Sequence, residues 1–208
     1  MWLSVLLTVL FGYLLGNLNG AVIISRLVGK KDVREQGSGN AGLTNFLRMY
    51  SPSVALLVVA IDVLKAVGAC FLGKALLSPY GYGQEGLILG GLVVNLGHDF
   101  PALLGFRGGK GVLCGISAAF CADWRCALPV IAVFAVSLWI SRYVSLSSIL
   151  GALTFAVIFP VVHYQNPLVA AMGALLALLI VFMHRSNISR LLNGTEKKAT
   201  FSKFRKNK

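Results

Sequence analysis

The chain has 208 residues, 57% of them hydrophobic and only 12% charged, with a mean hydropathy of +0.79. A soluble domain carries about 25% charged residues, so the composition excludes one and indicates a single-domain integral membrane protein. The net charge is +12, from 19 Lys+Arg against 7 Asp+Glu; in so apolar a chain the excess cations mark inner loops, and no nucleic-acid partner is expected.

Apolar runs and breakers predict an all-α polytopic fold of seven spans: 3–25, 53–77, 86–105, 111–122, 126–141, 147–164 and 167–183. Each is judged against the ~20 residues that cross a bilayer; the fourth is short, so it either thins the bilayer locally or is re-entrant. The first run follows Met1 without a basic n-region, so it reads as a span rather than a cleaved leader.

The first loop holds "GSGNAGLTNFLR" (37–48). Ser38, Asn40, Thr44, Asn45 and Arg48, with Gly39 and Gly42 between them, suit an anion site: the glycines let backbone N–H groups approach, and Arg48 grips bidentately. A helix from Gly42 would place Thr44 and Arg48 on one face, and Ser38 or Asn40 could instead be its N-cap. Within the second span, Asp62 and Lys65 are three residues apart. They are candidate functional groups by virtue of membrane depth and equally a structural ion pair. Asn95, His98 and Asp99 lie towards the end of the third.

"GFRGGKG" (105–111) comes next. It is not a P-loop: that pattern needs a glycine at Leu104 and a hydroxyl at Gly111. Phosphate binding survives, through the N–H groups of Gly108, Gly109 and Gly111 and the side chains of Lys110 and Arg107; a plain glycine turn between helices is the alternative. Cys70, Cys114, Cys121 and Cys126 have no metal spacing and read as small hydrophobes, with a Cys121–Cys126 disulfide open at an outer turn. "VSLSS" offers Ser145, Ser147 and Ser148 at the start of the sixth span, as N-caps or as hydroxyls aimed at a ligand. "HRSN" places His184 and Asn187 on one helical face.

With the N-terminus outside, only Lys74 and Arg125 of the loop cations fall on the outer side. The inner segments hold Arg26, Lys30, Lys31, Arg34, Arg48, Arg107, Lys110, Arg142, Arg185, Arg190 and the tail cations Lys197, Lys198, Lys203, Arg205, Lys206 and Lys208. This is a positive-inside pattern, and it requires an odd number of spans. Every glycine-rich polar segment then lies on the cytoplasmic side. A transporter instead tends to gather polar breaks near the midplane in two halves, which weighs against a carrier of anionic metabolites or lipids.

On these residues the chain resembles the PlsY family of bacterial acyl-phosphate:glycerol-3-phosphate acyltransferases. The first family motif is matched by Ser38, Gly39, Asn40, Gly42, Thr44, Asn45 and Arg48. The second is matched by Gly97, His98, Phe100 and Pro101 and then Phe106, Gly108, Gly109, Lys110 and Gly111. The third is matched by His184, Arg185, Asn187, Ile188, Arg190, Leu191, Leu192, Gly194 and Glu196. The likeness covers residues 1–196, a single transmembrane domain, and leaves 197–208 as a basic cytoplasmic tail. Asp99 and Arg107 stand at variable positions, and "VLCG" and "GNLNG" depart from the usual pattern.

The resemblance implies transfer of an acyl group from acyl phosphate to the 1-hydroxyl of glycerol 3-phosphate at the inner face of the bacterial plasma membrane. No cofactor, metal or obligate protein partner is expected. The expected catalytic residues are Ser38, Asn40, Arg48, Lys110 and His184. Gly39, Thr44, Asn45, Gly108, Gly109, Gly111, Ser145, Ser148 and Asn187 are expected to bind substrate. An acyltransferase fed by acyl-carrier protein or acyl-CoA is the remaining alternative.

Overall fold

The computed structural model describes residues 1–29 and 31–199. Lys30, Lys203, Arg205, Lys206 and Lys208, part of the cation asymmetry, lie outside the described residues, as does most of the basic tail. Among the described residues the fold is all-helical: α1 (Trp2–Asn17), α2 (Gly20–Gly29), α3 (Leu43–Phe46), α4 (Pro52–Leu77), α5 (Gly83–Asp99), α6 (Val112–Ala122), α7 (Trp124–Ser141), α8 (Val144–Val162), α9 (Pro167–Met183) and α10 (Arg185–Leu192).

The expected spans map onto apolar helices, but the count of seven is not reached on length. Five segments are long and apolar enough to cross; a sixth is reached only if α9 and α10, bent by 53°, are one span. The fourth expected span, α6, has 11 residues and is about 16 Å long, roughly half a hydrocarbon core. The second, α4, has 26 residues and at about 39 Å must tilt.

The first expected span is broken at Leu18–Asn19, and the buried pair Asp62–Lys65 explains how the break is tolerated. Lys65 Nζ donates to Leu18 O at 2.8 Å and Gly16 O at 3.4 Å, satisfying carbonyls that α1 leaves open. Asp62 Oδ1 accepts from Gly20 N at 3.3 Å, at the start of α2. The ammonium therefore sits at a helix C-terminus and the carboxylate at a helix N-terminus, each complementing the local dipole. The two groups are 2.7 Å apart. Of the two readings open at sequence level, this favours the structural ion pair.

Close helix contacts rest on small residues. A Cβ on Gly73 of α4 would lie 2.0 Å from Gly86 O of α5, so the two backbones meet as closely as small residues allow. The core beside α6 joins Cys70, Leu92, Ala118, Phe155, Phe159 and Leu176. All four cysteines are free thiols, so the turn between α6 and α7 carries no Cys121–Cys126 disulfide.

Candidate functional site

The three polar segments meet at one end of the bundle. Asn45 builds the first: its Nδ2 donates to Val33 O, Gln36 O and Asn40 O at 3.0–3.1 Å, and its Oδ1 accepts from Ser38 N at 2.8 Å. Expected as a substrate contact, Asn45 is buried and its amide is committed to holding the loop in shape. The loop's helix is also shorter than expected. α3 ends at Phe46, with Arg48 in the turn beyond it, so Thr44 and Arg48 do not share a helical face. Neither Ser38 nor Asn40 caps α3; Gly42 does, without a side-chain bond. Ser38, Thr44 and Arg48 are exposed, and Gly39 turns the chain at φ +72°.

The glycine loop lies directly on the end of α5. Gly109 N donates to His98 O at 3.0 Å, and Gly108 O accepts from Ala41 N at 3.4 Å, joining the two loops. A Cβ on Gly109 would sit 2.0 Å from His98 Nε2, and one on Gly108 2.0 Å from His98 O. His98 cannot yield easily, because its Nδ1 is 2.8 Å from Lys65 Nζ. The glycines are thus required by close approach, and the Gly109 N–H, expected to meet phosphate, is committed to His98 O. Arg34 clamps the loops together: its Nη1 donates to Leu104 O at 2.7 Å and Arg107 O at 3.0 Å. Its guanidinium also binds Asp32, which it holds well below the usual carboxylate range.

Lys110 leads out of this loop into a chain of side chains. It donates to Asn187 Oδ1. Asn187 Nδ2 donates to Glu196 Oε1 at 2.7 Å, and Ser145 Oγ donates to the same oxygen at 2.6 Å. Arg190 Nε completes the set on Glu196 Oε2 at 2.7 Å. These bonds, with the Arg190 charge, hold the Glu196 carboxyl below its usual range against the opposing effect of burial. Burial, with repulsion from Arg190 and Arg48, pulls the Lys110 ammonium down to about 8, although Glu196 opposes the change.

His184 is buried at the bend between α9 and α10. Its Nδ1 lies 2.8 Å from Ile180 O. A carbonyl only accepts, so Nδ1 carries the proton and Nε2 keeps its lone pair. Ser148, expected to bind substrate, donates its Oγ hydrogen to Val144 O at 2.9 Å within α8, which leaves the oxygen only as an acceptor. Gly111, at φ +65°, starts α6.

A cleft of about 250 Å³ opens here, lined by Asn40, Asp99, Phe106, Gly108, Gly109, Lys110 and Arg185 among others. It joins residues of all three segments around one lysine. Glu196, Arg190 and Arg34 are the positions whose roles residue types alone do not suggest, whereas Asp99 is a candidate by its membrane depth. Glu196 stands in the third matched motif, but lies too far along the chain from Ser145 and Lys110 for spacing to place it beside them.

Comparison with known proteins gives a consistent result. The family model described as glycerol-3-phosphate acyltransferase matches residues 6–194. A glycerol-3-phosphate acyltransferase of Thermoanaerobacter pseudethanolicus is 39% identical over 192 residues, covering 92% of this chain and 94% of that one. One from Finegoldia magna is 36% identical, covering 89% and 91%. A crystal structure of PlsY, an integral membrane glycerol 3-phosphate acyltransferase, in its glycerol 3-phosphate form superposes with a TM-score of 0.86 at 32% identity, over 98% of this chain and 100% of that one. Its lysophosphatidic acid form superposes at 0.80, with 34% identity over 95% and 96%.

Proposed function

This chain belongs to the glycerol-3-phosphate acyltransferase family, and we propose that it transfers a fatty acyl group from acyl phosphate to the 1-hydroxyl of glycerol 3-phosphate. The observation that carries this reading is the cleft that the glycine loop and half-buried Lys110 line together with Asn40 and Arg185, Lys110 being held from behind by the chain Asn187–Glu196–Ser145. Acceptor and product have the chemistry named in the two forms of PlsY.

The reaction suits this chemistry. The hydroxyl oxygen attacks the acyl carbon, an ester bond forms, and the bond to phosphate breaks with its electron pair leaving on phosphate. Two phosphorylated substrates bring several negative charges together. Lys110, Arg48 and the loop N–H groups offset their repulsion and stabilise charge on the oxyanion and leaving group. Phosphate is a good leaving group, so the protein's main task is to hold hydroxyl against carbonyl. In this reading Ser38, Asn40 and His184 orient the acceptor, which the place of Asn40 in the cleft wall supports, and the exposed Thr44 and Arg48 meet charge arriving from water.

We further place the N-terminus outside and the cleft at the cytoplasmic face of a bacterial plasma membrane, on the asymmetry of the loop cations. Purified protein supplied with acyl phosphate and glycerol 3-phosphate should release phosphate and form lysophosphatidic acid. Turnover with acyl-CoA or acyl-carrier protein but not acyl phosphate would overturn the donor. Binding of anions without turnover would favour a carrier.

A further inference from the structure

Two groups of metal-ligating side chains occur among the described residues: Asp62, His98 and Cys114, all buried, and Asp123, Cys126 and His163, of which His163 is partly exposed. The first already holds a cation. Lys65 Nζ is 2.7 Å from Asp62 Oδ1 and 2.8 Å from His98 Nδ1, so an ammonium sits between the would-be ligands. In the second the only cation is Arg125, which binds Asp123 from the exposed side and does not stand between the ligands, and the group lies at the far end of α6 from the glycine loop, where α6 gives way to α7 and α8 to α9.

We propose that Asp123, Cys126 and His163 form a divalent transition-metal site of the Zn²⁺ type. Their ligand atoms lie within 4.8 Å of one another. Zn–S and Zn–N/O bonds of about 2.3 and 2.0 Å set tetrahedral ligand pairs roughly 3.3–3.7 Å apart, so a contraction of about 1 Å closes the site. Thiolate, imidazole and carboxylate form a donor set of intermediate softness, which suits Zn²⁺ and not Mg²⁺ or Ca²⁺. A cleft of about 450 Å³ reaches the group, lined by Gln84, Phe120, Cys121, Trp124, Arg125 and others. Water from it supplies a fourth ligand.

The histidine supports the reading independently. His163 Nε2 is buried and makes no hydrogen bond, although Asp123 Oδ2 is only 3.3 Å away. A buried ring nitrogen with only a poorly aligned carboxylate beside it is under-satisfied, and a metal ion between the two would serve both. The other ring nitrogen, Nδ1, is 3.1 Å from the Gln84 side-chain amide. Turning that amide so that its oxygen faces Nδ1 fixes the proton there and frees the Nε2 lone pair, as metal-bound histidines require. The competing cation is Arg125, which binds Asp123 with its Nη2 2.7 Å from Oδ2. Its side chain is 66% exposed, so it can turn to water and release that oxygen. That turn also breaks the second side-chain bond, from Arg125 Nε to Asp123 Oδ1 at 2.9 Å, while Oδ1 would stay on the Arg125 backbone amide, 2.9 Å away.

The test is Zn²⁺ titration of the purified full-length protein in detergent, in competition with a chromophoric chelator. The expected result is saturable binding with a dissociation constant at or below ~1 µM. Cys126→Ser and His163→Ala should each weaken it at least ~10-fold, and Gln84→Ala by a smaller factor, as loss of a supporting contact does. Cys121→Ser should leave it unchanged. Co²⁺ in place of Zn²⁺ should give a thiolate-to-cobalt charge-transfer band that disappears in Cys126→Ser. Acyl transfer should be unaffected by Cys126→Ser, because the group stands at the other end of α6. Cys126→Ser is nearly isosteric, so it carries the test if His163→Ala does not fold. Absence of saturable binding by the wild type, or unchanged affinity in Cys126→Ser, overturns the proposal.

Discussion

Replacing Glu196 separates a scaffold for the lysine from an incidental surface acid. Its carboxylate accepts from Ser145, Asn187 and Arg190 at 2.6–2.7 Å. Ser145 and Asn187 are buried, so Glu196→Ala leaves two donors without a partner, each costing about 1–3 kcal/mol. Asn187 is the residue that holds Lys110. A side chain displaced by about 1 Å at a reacting centre costs on the order of 10²-fold in rate, and that is the loss in kcat/KM expected for Glu196→Ala. Glu196→Gln keeps a carbonyl oxygen for Ser145 or Asn187 but loses the charge facing Arg190, so a loss of roughly 10-fold is expected, one charge-assisted bond being worth about 1.5–3 kcal/mol. A second readout is specific to this chain of contacts. Glu196 raises the Lys110 ammonium, whereas Arg190 lowers it. Both variants should therefore move the alkaline fall in activity to lower pH. Phosphate release from acyl phosphate, measured from pH 6 to 10 at saturating acceptor, gives both quantities. Equal losses in Gln and Ala variants with an unmoved alkaline limb would refute the link from Glu196 to Lys110.

Lys110 is charged below about pH 8 and neutral above it, so KM for the phosphorylated substrates should rise as pH passes that value; Lys110→Arg, which stays protonated, should abolish the rise. Lys110→Ala and Arg48→Ala should each lose at least ~10²-fold in activity, because charge-assisted contacts to phosphate are removed; the exposed Arg107→Ala should lose far less, and equal loss at Arg107 and Lys110 would show that the wrong cation has been assigned. Gly109→Ala should cost both activity and thermal stability, since the added Cβ lies 2.0 Å from a fixed imidazole; Gly68→Ala in α4, with nothing within 4 Å of the new Cβ, should be neutral or up to ~1 kcal/mol stabilising by thermal melt. Single cysteines at Gly83 and Ser202 should be labelled from opposite sides of the membrane in oriented vesicles.

Membrane character and helical class were legible because composition and run length act over many residues at once. The span count was harder, since 11 residues in α6 and the bend at His184 both depart from the ~20-residue rule. The polar segments were legible as candidates because glycines beside cations and amides are unusual in so apolar a chain. Their division of labour was not. Asn45 and Ser148 have the right chemistry for a ligand, yet one holds its own loop and the other its own helix. Only tertiary contacts distinguish such uses, because a backbone carbonyl and a substrate oxygen make the same demand on a donor. Glu196 shows the converse: an acid at the end of the third motif becomes the hub of the site through partners 9 and 51 residues away.

The same contacts bear on how the acceptor loses its proton. His98 is a poor base, because its Nδ1 faces a lysine ammonium and its Nε2 lies against Gly109. His184 is different: with Nδ1 donating to Ile180 O, its Nε2 lone pair is fixed in direction. Helical periodicity did not foresee that orientation. The proposed donor, acyl phosphate, would offer a rival acceptor, since its own oxygens stand beside the reacting carbon and gain charge as the bond to phosphate breaks. If the leaving phosphate takes the proton, His184 serves to orient the acceptor. His184→Ala should then raise KM for glycerol 3-phosphate more than it lowers kcat, and added imidazole should not restore the rate. A base is worth about 10²–10⁴-fold in the chemical step. A kcat loss of that size with unchanged KM, recovered by imidazole, would assign the proton to His184 and remove the substrate-assisted route.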